Sequence, residues 1–337
     1  MSSMLEVEDL RVVHGDRPIV DGLDLRLEAG EALGLAGESG CGKTTTALSL
    51  MKLLPPALSQ SGAITLRPKG AEEPINIGRR TEAGMRVVRW RHVSLVFQGA
   101  MNSLDPVKRI DDQIAEAIRL HTKGGKAAVA ARVEELLGTV GLPSSVGRRY
   151  PHQLSGGQRQ RVMIALSLAC RPSLVIADEP TTALDVVMQA QVLQLLERLR
   201  EELGLGLILI SHDLGVLAET CDRIAVMYAG RIVEQGKVDD VFAMPQHPYT
   251  KRLLDSLPTI GGERGLAPAI PGSPPDPGDP PAGCRFRPRC PYAAERCGID
   301  PELREVAAEH AAACHYAPWS EWPAIEAPAV TVEEVGR

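Results

Sequence analysis

A glycine-rich stretch, GESGCGKT (residues 37–44), fits the pattern G-x-x-x-x-G-K-[ST], with an apolar strand before it and a helix after it. Glycines in this setting let backbone N–H groups surround a phosphate, and the helix N-terminus favours negative charge. Lys43 can reach the β- and γ-phosphates of a nucleotide, and the Thr44 hydroxyl can bind Mg²⁺. The residues predicted to bind nucleotide and metal here are Gly37, Glu38, Ser39, Gly40, Cys41, Gly42, Lys43, Thr44 and Thr45.

Two acidic residues follow a second apolar strand in LVIADEP (residues 174–180). Asp178 comes at the C-terminal edge of the predicted strand, where α/β sheets bind their ligands, and an acid there can hold Mg²⁺ through water. Glu179 is placed to orient or deprotonate an attacking water. Together with the glycine-rich loop, these acids predict the hydrolysis of a nucleoside triphosphate.

Four of the seven cysteines lie in the last quarter of the chain, separated by five, six and sixteen residues: Cys284, Cys290, Cys297 and Cys314. Zinc sites usually contain a C-x₂₋₄-C pair, which this stretch lacks. Four thiolates can nevertheless hold zinc or a [4Fe–4S] cluster, and reduced thiols or disulfides are the alternatives. The neighbouring arginines are expected to offset the charge of such a site and to lower the thiol pKa values: Arg285, Arg287, Arg289 and Arg296.

The composition indicates which binding partners and which cellular compartment to expect. Aromatic residues make up 3% of the chain and the net charge is -6, so the sequence shows neither a base-stacking surface nor a basic patch for nucleic acid. The first residues lack the basic and apolar regions of a secretory signal, and no apolar run approaches the ~20 residues of a membrane span. These features predict a cytosolic protein with mostly reduced thiols, which disfavours disulfides.

The elements that must position these residues follow from periodicity. Alternating apolar and polar residues over 5–35 predict short strands, and helices are expected over 42–54 and through most of 107–169. From residue 174 onward strands and helices alternate, which predicts an α/β fold with a mostly parallel sheet covered on both faces. A stretch dense in Pro and Gly begins near residue 258 and predicts an irregular connector.

Several further motifs occur in an order that is typical of one family of ATPases. LSGGQRQR (residues 154–161) resembles the signature of ABC ATPases, and VFQ, TTALD and ISHD occupy the places that family gives them over roughly residues 5–236. The resemblance implies a P-loop NTPase fold of ABC type, with a RecA-like core sheet, an N-terminal antiparallel β-subdomain and an α-helical subdomain. It also implies ATP as substrate and two ATP molecules sandwiched between two cassettes.

The same resemblance assigns roles to single residues. The signature residues would serve the ATP bound to a partner subunit, because a helix N-terminus after SGG is a second phosphate site: Leu154, Ser155, Gly156, Gly157 and Gln158. By resemblance His212 contacts the γ-phosphate, Gln98 senses it and couples to the membrane subunit, and Asp185 bridges the dimer. The family usually stacks adenine on Tyr or Phe, whereas this chain offers His14, which is alternatively a simple turn residue.

Two stretches narrow the family. Both resemble the corresponding parts of ATPases of dipeptide, oligopeptide and nickel importers. The first is GAMNSLDPVKRI (residues 99–110), and the second is PQHPYTKRLLDSLP (residues 245–258) together with the cysteines that follow it. This resemblance implies two membrane permease subunits, a second and distinct ATPase chain, an extracytoplasmic binding protein, and a place on the cytoplasmic face of the membrane. In some members of that family the cysteines tend towards iron–sulfur binding, so a [4Fe–4S] cluster is expected here, with Zn²⁺ as the alternative.

The resulting expectation divides the chain into a cassette (residues 1–257, with a helical subdomain about 107–170), a linker with a small Cys-rich extension (258–319) and a loose tail (320–337). Peptides are the expected substrate, with nickel or an oligosaccharide as alternatives. A soluble ABC ATPase acting on nucleic acid is disfavoured, because such chains usually fuse two cassettes or insert a coiled coil. A degenerate regulatory cassette is disfavoured by Lys43, Asp178, Glu179 and His212.

Overall fold

The computed structural model describes residues 3–97, 99, 103–182, 184–257, 270–276 and 279–323. Within them, the first sheet has four antiparallel strands in the order β2-β1-β4-β5. These strands are β1 (Leu5–His14), β2 (Arg17–Leu27), β4 (Leu58–Leu66) and β5 (Ile75–Asn76). Apolar side chains along β1 alternate in burial, so one face of this sheet packs inward and the other meets solvent.

The second sheet positions the chemistry. Its parallel part runs in the order β9-β3-β8-β7-β6. The strands are β3 (Ala32–Ala36), β6 (Val93–Val96), β7 (Leu174–Asp178), β8 (Gly206–Ile210) and β9 (Arg223–Tyr228). All residues of β3, β7 and β8 are buried, which explains why these segments are apolar runs without alternation. Their C-terminal ends share one edge, and the glycine-rich loop and both acids leave from it.

The sheet is mixed, because the chain turns back after β9. Strand β10 (Arg231–Lys237) pairs antiparallel with β9, and a hairpin of β11 (Arg304–Ala307) and β12 (His310–Ala312) pairs with β10. The described residues therefore give an eight-stranded sheet whose last two strands come from the far end of the chain. The cysteine-bearing residues 279–323, hereafter the cysteine segment, thus extend the main sheet.

Helices cover the sheet and form a separate helical layer. They are α1 (Lys43–Leu50), α2 (Glu82–Val88), α3 (Ile110–His121), α4 (Lys126–Thr139), α5 (Gly156–Ser167), α6 (Val186–Leu203), α7 (Leu214–Thr220), α8 (Val238–Ala243) and α9 (Pro248–Asp255). Helix α3 buries Ile110, Ile114 and Ile118, at the spacing of one helical face, and contacts α4 and α5. Among the described residues, no helix is both long and apolar enough to span a bilayer.

The core has one component that the sequence does not announce. Three fully buried rings, Tyr228 of β9, Tyr249 of α9 and Phe286 of the cysteine segment, pack with centroids 4.5 to 5.5 Å apart. Phe286 belongs to the same apolar cluster as the parallel strands. The cysteine segment is therefore anchored in the main core.

Candidate active site

The glycine-rich loop (residues 37–44) connects β3 to α1 and depends on two of its glycines. Gly37 has a φ of 145°, and a Cβ there would lie 2.3 Å from the Met227 carbonyl oxygen. Gly42 has a φ of 106° and lies close to the Ile19 carbonyl. Only glycine tolerates both the positive φ and the close approach, so the loop keeps its shape through backbone geometry. Ser39, Gly40 and Thr44 face solvent, where phosphates would enter.

Lys43 is buried at the start of α1. Its Nζ donates to the carbonyl oxygens of Gly37, at 2.7 Å, and Glu38, at 3.1 Å, and lies 3.7 Å from the Cys41 Sγ. The ammonium group thus rests on carbonyls of the loop itself, within the curve that phosphates would occupy. Burial raises the pKa of the Cys41 thiol, although Lys43 opposes this rise.

The carboxyl group of Asp178 lies beside the loop at the end of β7. It is buried and accepts a hydrogen bond from Thr44, and burial raises the pKa of Asp178 above its ordinary value. Within the described part of the chain, its Oδ1 has no hydrogen-bond partner. An orphaned buried carboxylate oxygen next to a threonine hydroxyl fits a hard cation, so this donor set suits Mg²⁺.

Glu179 and His212 come together from neighbouring strands. Glu179 follows β7 with a φ of 45°, and its backbone N–H donates to the Ile210 carbonyl at the end of β8. The Nδ1 atom of His212 lies 3.4 Å from Glu179 Oε1, and Oε2 accepts from the Thr182 hydroxyl at 2.9 Å. The His212 side chain is 68% exposed, while that of Glu179 is 16% exposed. This pair can hold a carboxylate base in one orientation at the rim of the site.

The signature residues form the start of α5. Ser155 caps this helix by accepting from the Gln158 N–H, and Gln158 Oε1 accepts from the Ser155 N–H in return. Leu154 is buried, whereas Ser155 is exposed and Gly156 is half-buried. Gly157 is buried against Met188, whose terminal Cε would lie 1.9 Å from a Cβ at this position and would have to move aside. An exposed helix N-terminus with free access can receive an anion from outside the chain.

The remaining predicted residues stand apart from one another. Asp185 caps its own helix α6 by accepting from the Met188 N–H at 2.9 Å. His14 is exposed at the end of β1, and Thr45 is half-buried within α1. Gln98 lies outside the described residues. The roles of His14 and Asp185 toward adenine and a dimer partner stay predictions.

No motif or spacing in the sequence indicates the contacts that hold Glu38. Its backbone N–H donates to the Tyr249 hydroxyl at 2.8 Å, and its carboxylate pairs with Arg289 at 2.6 and 3.0 Å. Tyr249 appears in the motif HPYT and Arg289 in a basic run, but neither spacing points to a loop more than two hundred residues earlier. The two contacts join the glycine-rich loop to the last part of the chain.

The four clustered cysteines converge. They line one small cavity in the company of His247, Phe286 and Tyr316, and each is a free thiol. Among the described side chains, however, no group of three or more His, Cys, Asp or Glu is arranged to hold a metal ion. The structure therefore shows convergence of the thiols and does not support the expected metal site as the side chains stand.

The expectation that arginines lower the thiol pKa values was wrong. Burial raises the pKa of Cys284 to about 11 and of Cys290 to about 12, and also raises that of Cys314. Three of the four arginines are engaged elsewhere, and Arg287 alone lines the cysteine cavity. Arg285 and Arg289 pair with Asp21 and Glu38, and Arg296 lies over the Tyr316 ring at 3.5 Å. Desolvation favours the neutral thiol over the charged thiolate, so burial dominates at these three cysteines.

Asp21 of β2 anchors the cysteine segment by charge. Its carboxylate pairs with Arg11, Arg231 and Arg285. Burial by itself would raise the pKa of Asp21, but hydrogen bonding and charge from Arg231, followed by the charges of Arg285 and Arg11, hold it below its ordinary value. One carboxylate thereby connects both sheets to the cysteine segment.

Comparison with known proteins gives two family matches. Residues 20–182 match the family model described as ABC transporter, and residues 233–297 match that described as oligopeptide/dipeptide transporter, C-terminal region. The first match contains the glycine-rich loop, the signature and both acids. The second contains α9 and three of the four clustered cysteines.

Similar proteins and solved structures point to the same family as these two matches. The oligopeptide transport ATP-binding protein OppD of Salmonella typhimurium is 44% identical, over 92% of this chain and 93% of the relative. AppD of Bacillus subtilis, also an oligopeptide transport ATP-binding protein, is 45% identical over 88% and 91%. A dimeric post-hydrolysis structure of the ATP-binding cassette MJ0796, bound to ADP and Pi, covers 70% of this chain and 99% of its own, with a TM-score of 0.61 and 26% identity.

Proposed function

The chain belongs to the ABC transporter family, and we propose that it is the ATP-hydrolysing subunit of an importer of di- or oligopeptides. The observation that carries this proposal is the pair of family matches, since a transporter cassette and an oligopeptide/dipeptide C-terminal region stand in one chain. Similar chains named for oligopeptide transport match it over most of their length. The loop, Asp178 and Glu179 supply the groups that such an ATPase requires.

Hydrolysis depends on position and charge. Lys43 would move from the loop carbonyls onto the phosphates, while the backbone N–H groups of residues 40–44 surround them. Asp178 and Thr44 would hold Mg²⁺, which neutralises phosphate charge when bound. Glu179 would accept a proton from the attacking water, and His212, 3.4 Å away, would keep the carboxylate oriented. The strained backbone of Glu179 supports this role, because such φ values concentrate at functional sites.

The signature residues support a site shared between two chains. One phosphate-binding helix N-terminus, α1, already belongs to the loop of this chain, and α5 presents a second one to solvent. We propose that Ser155 and the N–H groups of Gly156 and Gly157 contact ATP held by a partner ATPase, with Asp185 at the dimer contact. The partner is expected to be a different chain.

A substitution at the signature separates the two sites of such a dimer. Ser155→Arg should lower hydrolysis at the partner's loop by about 100-fold, because a cation and a bulky side chain replace an anion-binding turn. Hydrolysis at this chain's own loop should remain. Measuring each site in turn, with the other inactivated, tests this. Ser145→Arg, at an exposed serine of the helical layer, is the matched control.

The wider assembly follows from the same proposal. Two membrane permease subunits would bind the ATPase pair on the cytoplasmic face, and an extracytoplasmic binding protein would deliver substrate. Residues 1–257 would form the cassette, with the helical layer about 107–170, and residues 258–319 the linker and small Cys-rich extension. The pairing of β12 with β10 supports an extension that packs on the cassette.

The decisive experiment assembles the chain with its permease subunits, partner ATPase and binding protein in lipid. ATP hydrolysis should rise when the binding protein is loaded with a short peptide, and labelled peptide should accumulate inside vesicles only with ATP. Stimulation by nickel or an oligosaccharide, with none by peptide, would overturn the substrate class. Hydrolysis independent of permease subunits and membrane would overturn transport.

We also propose that the four clustered cysteines bind a [4Fe–4S] cluster, with Zn²⁺ as the alternative. Convergence of four thiols on one cavity supports this, although the side chains would have to rearrange before they could hold a metal. Protein purified without oxygen should contain about four iron atoms per chain and absorb broadly near 400 nm. Stoichiometric zinc without iron would favour the alternative, and protein with neither metal would refute both.

A further inference from the structure

One side chain of the cysteine segment reaches into the glycine-rich loop. Arg289 lies in a short 3₁₀ turn (Arg287–Arg289) immediately before Cys290. Its Nη1 donates to Glu38 Oε2 at 2.6 Å, and its Nη2 donates to Glu38 Oε1 at 3.0 Å. This is a bidentate pair, the geometry in which guanidinium and carboxylate interact most strongly.

The guanidinium is held on every side. Its Nε donates to the Pro271 carbonyl at 2.9 Å, and its Nη1 also donates to the Tyr228 hydroxyl at 3.2 Å. The Arg289 side chain is 5% exposed and that of Glu38 is 24% exposed. Exposed ion pairs contribute little because water screens them, but breaking this bidentate pair would leave a buried guanidinium without its carboxylate, which is costly.

The backbone of Glu38 is also hydrogen-bonded on both sides. Its carbonyl oxygen accepts from Lys43 Nζ, and its N–H donates to the Tyr249 hydroxyl. Pro274 and Pro275 of the connector line a small cavity together with Glu38 and the loop residues that follow it. Backbone and carboxylate of one loop residue are thus fixed by the last third of the chain.

The charge of Glu38 creates a problem that Arg289 resolves. Glu38 is an acidic residue in a loop that is proposed to receive the anionic β- and γ-phosphates, and like charges held close together repel. Pairing with a buried cation offsets that repulsion and holds the carboxylate in one orientation. A neutral residue at position 38 would not need this counterion.

We propose that Arg289 is a positioning residue of the nucleotide site: it holds Glu38 and neutralises its charge, so that the loop binds ATP with full affinity. The cysteine segment then completes the phosphate-binding loop. This inference rests on the proposed ATP site and adds to it a residue outside every motif of that site.

Equilibrium binding of ATP with Mg²⁺ to the full-length chain tests the proposal. Arg289→Met should raise the Kd for ATP at least tenfold, which corresponds to 1.4 kcal/mol. Adding Glu38→Gln in the same chain should restore most of the affinity, because the unpaired charge is removed. Arg289→Lys should fall between, since it keeps the charge and loses the bidentate contact. Arg287→Met, at an exposed arginine of the same turn, is the matched control and should bind as the unaltered chain does.

The rescue distinguishes positioning from general stability. If Arg289 only held the cysteine segment in place, Glu38→Gln would not repair the loss, and that outcome would overturn the proposal. An unchanged Kd in Arg289→Met would overturn it equally. Thermal unfolding without nucleotide shows whether each variant is folded. If Arg289→Met does not fold, the ATP affinity of Arg289→Lys provides the test instead.

Kinetics in the assembled transporter add a second criterion. Arg289→Met should raise the KM for ATP while kcat at saturating ATP stays within about twofold, because the residue acts on binding and does not touch the reacting atoms. A tenfold fall in kcat with no change in the KM for ATP would contradict this role. Failure of the unaltered chain to bind ATP would refute the proposed function, whereas binding that is insensitive to Arg289 would refute the inference alone.

Discussion

The glycine-rich loop and the cysteine segment are organised in opposite ways. The backbone path of the loop follows mainly from residues within its own motif, two glycines with positive φ and one lysine, although Tyr249 and Arg289 also hold its Glu38. The cysteine segment takes its place from distant residues: Asp21, Glu38 and the rings of Tyr228 and Tyr249. Motif spacing therefore locates chemistry in the first region, whereas in the second only the fold shows what the side chains contact.

Glu179→Gln has the largest expected effect, because it should abolish most ATP hydrolysis while the glycine-rich loop and the cysteine segment stay folded. Loss of the carboxylate base should lower ATP turnover by roughly 10²- to 10⁴-fold. Affinity for ATP should stay unchanged, since Lys43 and the loop remain. Turnover in the assembled transporter and equilibrium binding of ATP measure the two effects. Glu201→Gln, at an exposed glutamate of α6, is the control, and turnover like that of the unaltered chain in Glu179→Gln would remove Glu179 from the mechanism.

Phe286→Ala tests how the cysteine segment is held in the fold. The ring is buried against Tyr228 and Tyr249, so its removal leaves a cavity and should lower the free energy of unfolding by about 3–5 kcal/mol. Denaturant unfolding measures the loss. Leu120→Ala truncates an exposed apolar side chain and should cost less than ~0.5 kcal/mol. Equal effects of the two substitutions would mean that the cysteine segment is not packed into the core.

The smallest predicted effect depends on pH and concerns His247 at the start of α9. Its Nδ1 accepts from the Tyr249 N–H, and burial lowers the pKa of His247 to about 3. Two titratable residues lie beside it: the Glu234 carboxylate accepts from the His247 backbone N–H, and the His310 ring contacts the same carboxylate. Because the unfolded histidine binds a proton near pH 6.5 and the folded one does not, its contribution to stability is complete above pH 6.5 and is lost as pH falls towards 3.

The measurement compares the free energy of unfolding at pH 6.5 and pH 5.5. The unaltered chain should lose about 1 kcal/mol more than His247→Asn over this interval, since asparagine can accept the same backbone hydrogen bond without titrating. His152→Asn, at an exposed histidine, should keep the pH dependence of the unaltered chain. If His247→Asn keeps it as well, His247 is not the group that titrates.

The sequence predicted the fold where it depends on local pattern and failed where it depends on distant partners. Apolar runs such as residues 174–178 indicated buried parallel strands, and the structure brings the residues that follow them, Glu179 and His212, together. The antiparallel hairpin that extends the main sheet was not foreseen, because Arg304–Ala312 has no strong alternation. The arginines beside the cysteines were assigned to the thiols, since nothing in their spacing indicates Asp21 or Glu38.

The contact between Glu38 and Arg289 also has a consequence for the timing of synthesis. The two residues are 251 positions apart, and a ribosome adds roughly 5–20 residues per second, so about 13–50 s pass between them. During this interval the nascent chain has made its glycine-rich loop and lacks the cation that neutralises Glu38. If Arg289 has the role proposed for it, the nascent loop binds ATP with lower affinity until residue 289 has been added and has folded back onto Glu38.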